Sequence, residues 1–363
     1  MALSYTMKQT YKNLLLIQLG DIGDVVLSIP AFRAVHENFP HAKIIIAVRE
    51  KARELIQHLP GVHGVISINQ DKRSLLREIT YQWTFFSLVR RYRFDLVMDF
   101  RTGTRGAILA FLSGAQDRVG FFDHESFWRN SLFTKLYRLD YDFPQHMADY
   151  YSSLPLAYGV NVNDAIPVMH FTPAMEQQAA RILEREKIPS ELPMIAIQPF
   201  SLWQYKEWGV NKYVSLIQRI LSEYNVTIVI TGSRDEYDRA ENIIDQCRDY
   251  GRQMFNLAGK TSLEELAAML KLCQLFIGSD SAGMHIAAAV GTPTVIIFGS
   301  SAPASWSPKG NNHAIVQKNM SCVPCRQKGC NGTEFSRCLE ELGGDDVFTV
   351  VRSHYEKLYS SVI

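Results

Sequence analysis

Residues 276–299, FIGSDSAGMHIAAAVGTPTVIIFG, leave the backbone few paths. A short apolar run, a polar turn, a stretch of small side chains, a Gly-Thr-Pro stop and a second apolar run spell strand, turn, helix and strand. Two buried strands joined through a helix lie parallel in one sheet. Ligands of such sheets bind beyond the carboxyl ends of the strands, and the free N–H groups of a helix N-terminus attract phosphates. Asp280, Ser281 and His285 fall at that spot. An acid beside a phosphate site serves something else, such as a sugar hydroxyl, so the segment points to a nucleotide-sugar site.

The same alternation runs through most of the 363 residues. Apolar runs at 14–18, 43–48, 65–68 and 96–99 predict strands, with helical patterns at 29–38, 51–58 and 72–92 between them. Prolines at 144, 155, 167, 173, 189 and 193 interrupt the rhythm with short helices, which puts a domain junction around 165–190. Alternation resumes with strands at 194–197, 227–231, 275–278 and 294–298 and helices at 211–223, 235–249 and 262–270. Ser262 and Glu265 make a capping box at the start of the last of these. A final amphipathic helix is expected over 347–359. Two doubly wound α/β domains facing across a cleft is the architecture this predicts, in keeping with the chain's length.

Composition narrows the function. With 38 Lys plus Arg against 37 Asp plus Glu, bulk charge makes no case for nucleic acid as a partner. The N-terminal residues do not read as a signal peptide, and no apolar run reaches the roughly 18 residues of a membrane span. A cytoplasmic protein is expected, with membrane contact limited to its surface. One segment suits such contact. Residues 72–94 carry six Lys or Arg against one Glu, with Leu75, Ile79, Trp83 and Phe86 at helical spacing. A basic amphipathic helix of this kind can lie on an anionic membrane or bind a phosphorylated acceptor, or pack its apolar stripe on a sheet.

Several strand ends carry chemistry. The first runs into Gly20-Asp21-Ile22-Gly23-Asp24, which lacks the G-x-G-x-x-G of a dinucleotide site. Asp24 reads equally as a proton acceptor and as a helix N-cap. The strand at 194–197 leads into QPFSLWQYKEW, where Lys206 could neutralise a diphosphate and Ser201 donate a hydrogen bond, while Trp208 reads as packing. After 227–231 come Gly232-Ser233-Arg234-Asp235-Glu236. Asp235 could hold a ribose, and Glu236 suits the positive end of the helix dipole. Four of the six cysteines, Cys322, Cys325, Cys330 and Cys338, are close enough in sequence to enclose a structural metal ion or an iron–sulfur cluster, or to stay free thiols.

Taken together and in order, LIQLGDIGDVVLSIPAFRAV, FDLVMDFRTGTRGAILAFLSGAQDRVGF, QPFSLWQYKEW, GSDSAGMHIAAAVGTPTVIIFG and CVPCRQKGC…SRCLEEL are specific. Over about residues 12–360 the chain resembles the bacterial lipopolysaccharide heptosyltransferases of glycosyltransferase family 9, with heptosyltransferase III-like proteins nearest. The resemblance implies a GT-B fold: an acceptor-binding Rossmann-like domain over 1–170, a nucleotide-sugar-binding one over 171–345, and a helix over 346–363 packing back toward the first. It implies inverting transfer of heptose from ADP-heptose to the lipopolysaccharide core, with no cofactor required, at the cytoplasmic face of the inner membrane. It implies Asp24 as general base, and Ser201, Lys206, Asp280, Ser281, His285 and the region of Asp235 as the donor site. Arg101 and Arg105 match the acceptor-facing loop. Ala282 departs from the pattern, because many members have glycine there. A family 9 enzyme using another sugar nucleotide or acceptor, or a GT-B sugar-nucleotide epimerase, are the alternatives.

Overall fold

The structure, a computed structural model, describes residues 11–69, 84–250 and 253–359. Its strands are apolar wherever both faces are covered: Leu14, Leu15, Leu16 and Ile17 of β1 (Asn13–Gln18) are wholly buried, as are Leu275, Phe276 and Ile277 of β10 (Leu275–Ser279). Each such side chain contributes about 1.5–3 kcal/mol of burial. The chain divides into two compact units after Pro167.

In the first unit, β1, β2 (Lys43–Arg49), β3 (Val62–Ile68), β4 (Leu96–Asp99), β5 (Asp117–Phe121) and β6 (Lys135–Tyr137) pair in parallel in the order β3-β2-β1-β4-β5-β6. In the second, β7 (Met194–Gln198), β8 (Thr227–Ile230), β9 (Met254–Asn256), β10, β11 (Thr294–Phe298) and β12 (His313–Gln317) form the order β12-β11-β10-β7-β8-β9, again all parallel. Both are doubly wound sheets with the 3-2-1-4-5-6 strand order, and the order reverses between β1 and β4 in one and between β7 and β10 in the other.

The structure adds β5, β6, β9 and β12 to the strands expected from apolar runs. Asp117 and Arg118 open β5, β6 and β9 are three residues each, and β12 is only part-buried at the sheet edge. The proline-rich stretch holds two full helices, Met147–Tyr158 and Pro173–Glu186, and not only short ones. Pro155 lies inside the first of them, and Pro173 opens the second behind a Thr172 cap. Met147–Tyr158 packs on helices Ile22–Leu27 and Ile29–Asn38, which brings Tyr151 to the end of β1. Of the basic segment, residues 84–91 are helical and 70–83, including Leu75, Ile79 and Trp83, lie outside the described residues. Helix Gly344–Tyr359 sits on helix Val210–Glu223 and on β11 and β12, burying Val347, Phe348 and Val351 in the second unit's core.

Candidate active site

The turn after β1 gives Asp24 two duties. Asp21, and not Asp24, is the N-cap of helix Ile22–Leu27. Asp24 is the third helical residue and closes a capping box, its Oδ2 accepting the Asp21 N–H at 2.9 Å. The same oxygen accepts Arg101 Nη1 at 2.6 Å, and Oδ1 accepts the Tyr151 hydroxyl at 2.6 Å. Gly20 makes room for this approach. A Cβ there would stand 2.4 Å from Asp24 Oδ2 and 2.5 Å from Arg101 Nη1.

Arg101 follows β4, so the pair bridges the point where strand order reverses. A buried layer fixes the Arg101 backbone. Its N–H donates to Asp99 Oδ1 at 3.3 Å, and its carbonyl accepts Arg129 Nη2 at 2.8 Å. Arg129 and Asp99 are themselves a buried ion pair at 3.5 Å. Burial pushes the Asp99 carboxyl up to about 7 against the pull of Arg129 and Arg101. Burial, then the charge and hydrogen bond of Asp24, raise the Tyr151 phenol well above its ordinary value, so it stays a proton donor. Arg105 is exposed on the first turn of helix Thr104–Ser113.

The second unit repeats the arrangement with the signs exchanged. Lys206, on the turn after β7, donates from Nζ to Asp280 Oδ2 at 2.6 Å, and Asp280 follows β10. This pair too bridges a switch point. Asp280 is 5% exposed and leads into helix Ala282–Ala289. The N-cap residue Ser281 makes no side-chain cap; its hydroxyl instead accepts Gln198 Nε2 at 3.3 Å. The first N–H groups of this helix are thus left without the usual side-chain acceptor, which favours an anionic ligand. Ala282 is simply the first helical residue. The tighter position is Gly283, where a Cβ would stand 1.9 Å from Gln198 Oε1 and the Gln198 side chain would have to move. His285 is buried one turn on.

Beside this pair lies a cavity of about 470 Å³ lined by Ser201, Leu202, Gln204, Glu207, Arg239 and Glu334. It shares Ser201 with the expected donor set, while neither Lys206 nor Asp280 lines it. Glu207 ties its wall together: Oε1 accepts the Ser201 N–H at 3.2 Å, and both oxygens meet Arg239, at 3.2 and 2.5 Å. Arg239 in turn lies over the Phe200 ring at 4.1 Å. Asp235 is exposed in the turn Arg234–Glu236, and Glu236 is spent on a capping box with Ser233. Trp208 is packing, as expected, buried against Tyr213 with its N–H on Leu342 O at 3.0 Å.

The four clustered cysteines are free thiols, from exposed Cys322 to buried Cys338. Among the described residues no group of three or more His, Cys, Asp or Glu side chains is arranged to hold a metal ion, so the tetrahedral set their spacing allows is not formed. Their loop instead braces the turn that carries Lys206. Ser336 Oγ donates to Tyr205 O at 2.6 Å, and Lys328 lies 5.2 Å over the Trp203 ring. Among the described residues no helix is long and apolar enough to cross a membrane.

The profile of Glycosyltransferase family 9 (heptosyltransferase) matches residues 83–335. Lipopolysaccharide heptosyltransferase 3 of Escherichia coli is 27% identical over 294 residues, spanning 80% of this chain and 84% of that protein. A family 9 glycosyl transferase from Veillonella parvula superposes with a TM-score of 0.81 at 19% identity, covering 97% of this chain and 99% of that one. The E. coli ADP-heptose lps heptosyltransferase II superposes with a TM-score of 0.77 at 20% identity, covering 95% and 99%. The two sheets described above are those of the GT-B fold.

Proposed function

The chain belongs to glycosyltransferase family 9, and from that premise we propose that it transfers heptose from ADP-heptose to a sugar of the lipopolysaccharide core, inverting the anomeric carbon. Asp24 takes the proton of the acceptor hydroxyl as its oxygen bonds to the anomeric carbon. The carbon–oxygen bond to the diphosphate breaks, and ADP leaves with the electron pair. Lys206 and the N–H groups at the start of helix Ala282–Ala289 receive the charge that develops on the diphosphate. A positioned base is worth roughly 10²–10⁴-fold, and fixed positive groups aimed at the leaving group add electrostatic stabilisation. Ser201 and His285 complete the donor site, and Arg101 and Arg105 serve the acceptor.

The observation that carries this reading is the Lys206–Asp280 pair beside a helix N-terminus without a side-chain cap, at the strand-order reversal of the second sheet. It supplies a cation and N–H donors for a diphosphate, together with an acid for a sugar hydroxyl. The names of the similar proteins supply the sugar and the acceptor. Thermal unfolding in the presence of ADP-, UDP-, GDP- and CMP-sugars tests it. Stabilisation by ADP-sugars alone is expected, and a preference for UDP-sugars would defeat the ADP-heptose assignment. A lipid-linked acceptor places the enzyme at the cytoplasmic face of the inner membrane. Cell fractionation that never recovers it with membranes, even with acceptor present, would count against that placement.

A further inference from the structure

We infer that Tyr151 is a positioning residue of the transfer reaction, holding the Asp24 carboxylate in the one orientation that leaves a lone pair open for the acceptor proton. The inference rests on Asp24 being the base, as proposed above. A carboxylate offers about four acceptor positions. Three are taken here: Oδ2 by Arg101 Nη1 and by the Asp21 N–H, and Oδ1 by the Tyr151 hydroxyl. The remaining position is on Oδ1, and Tyr151 decides which way it points.

The two side chains on Asp24 differ in freedom. The Arg101 side chain is 41% exposed and sits on a loop, so it can turn toward an acceptor. Tyr151 is 3% exposed, on a helix packed against the two helices that follow β1. Its phenol remains protonated throughout the range in which a carboxylate ionises, for the reasons given above. It therefore donates to Asp24 in every cycle. The hydrogen bond thereby fixes the carboxylate plane for the attack.

Tyr151→Phe removes the hydroxyl and keeps the ring that packs. In the full chain, kcat for heptose transfer from ADP-heptose at neutral pH should fall roughly tenfold, the effect of one lost hydrogen bond to a charged group. ADP affinity by calorimetry and the unfolding temperature should stay close to wild type. A kcat equal to that of wild type would overturn the inference. A second variant, Tyr151→3-fluorotyrosine, keeps the hydroxyl and should hold kcat within a few-fold of wild type; a loss as large as that of the phenylalanine variant would also overturn it. Asp24→Asn separates the two levels of the argument. If it keeps transfer, Asp24 is not the base; if it abolishes transfer while Tyr151→Phe changes nothing, only the role of Tyr151 fails.

Discussion

Replacing Lys206 by alanine should have two effects that a second substitution can pull apart. Its ammonium lies 2.6 Å from a carboxylate whose side chain is 6% exposed. Removing one partner of a buried pair costs about 3–5 kcal/mol, because the other charge is stranded. Here the lysine side chain is 22% exposed, and the nearby helix N-terminus returns roughly 0.3–1 kcal/mol to the carboxylate. We therefore expect a loss of about 2–3 kcal/mol, read by denaturant unfolding. ADP affinity, read by calorimetry, should fall about 10- to 100-fold through loss of a charge-assisted hydrogen bond to the diphosphate. Asp280→Asn should behave differently. The freed ammonium can turn to solvent, so the stability loss is nearer 1 kcal/mol, and ADP should bind at least as tightly once a like charge has gone. The double variant should recover stability relative to Lys206→Ala without recovering ADP affinity. If Asp280→Asn weakened ADP as much as Lys206→Ala does, or if Lys206→Ala kept wild-type stability, the reasoning would be refuted.

Gly20→Ala pushes a methyl group into Asp24 and Arg101; transfer assays should show at least a 100-fold loss, with ADP affinity intact. Arg105→Ala should raise the acceptor KM several-fold and leave the donor KM unchanged, as steady-state kinetics would show. Asp99 gives a pH signature. Folded, its carboxyl holds a proton up to about 7, against an ordinary carboxyl value of 3.8. The folded state thus binds the extra proton between these values, and this contribution to stability is lost as pH rises from about 4 to 7. Asp99→Asn should flatten that slope, worth a few kcal/mol, in denaturant titrations at pH 5 and 7.5.

What the sequence discloses follows from where the signal is local. The central strands read clearly because burial on both faces demands continuous apolar runs such as LLLI and LFI. Edge and short strands escape. HAIVQ of β12 is only part-buried, and KLY of β6 is too short to show a period. Asp24, Lys206 and Asp280 are legible because each lies just past an apolar run, where an α/β sheet keeps its ligands. Tyr151 is not, for its partner is 127 residues away and it sits in a stretch that prolines disguise as broken. Glu207 lies within the quoted motif, yet its role depends on Arg239, supplied by a helix 32 residues on. Ala282 departs from the family's glycine, whereas the close approach falls one residue on, between Gly283 and the Gln198 side chain, a register that only the geometry reveals.

The two switch-point ion pairs also say something about how the molecule comes to be active. Their partners are 77 and 74 residues apart along the chain, and each pair joins the ends of the first and fourth strands of its sheet. Helices can form early from local contacts, but neither pair can close until the fourth strand has crossed back beside the first, a long excursion with a large loop-closure cost. In refolding, ADP binding should return in step with the β7–β10 pairing and lag behind the helical signal. Catalytic competence is thus a late arrival, reporting that both central sheets are complete.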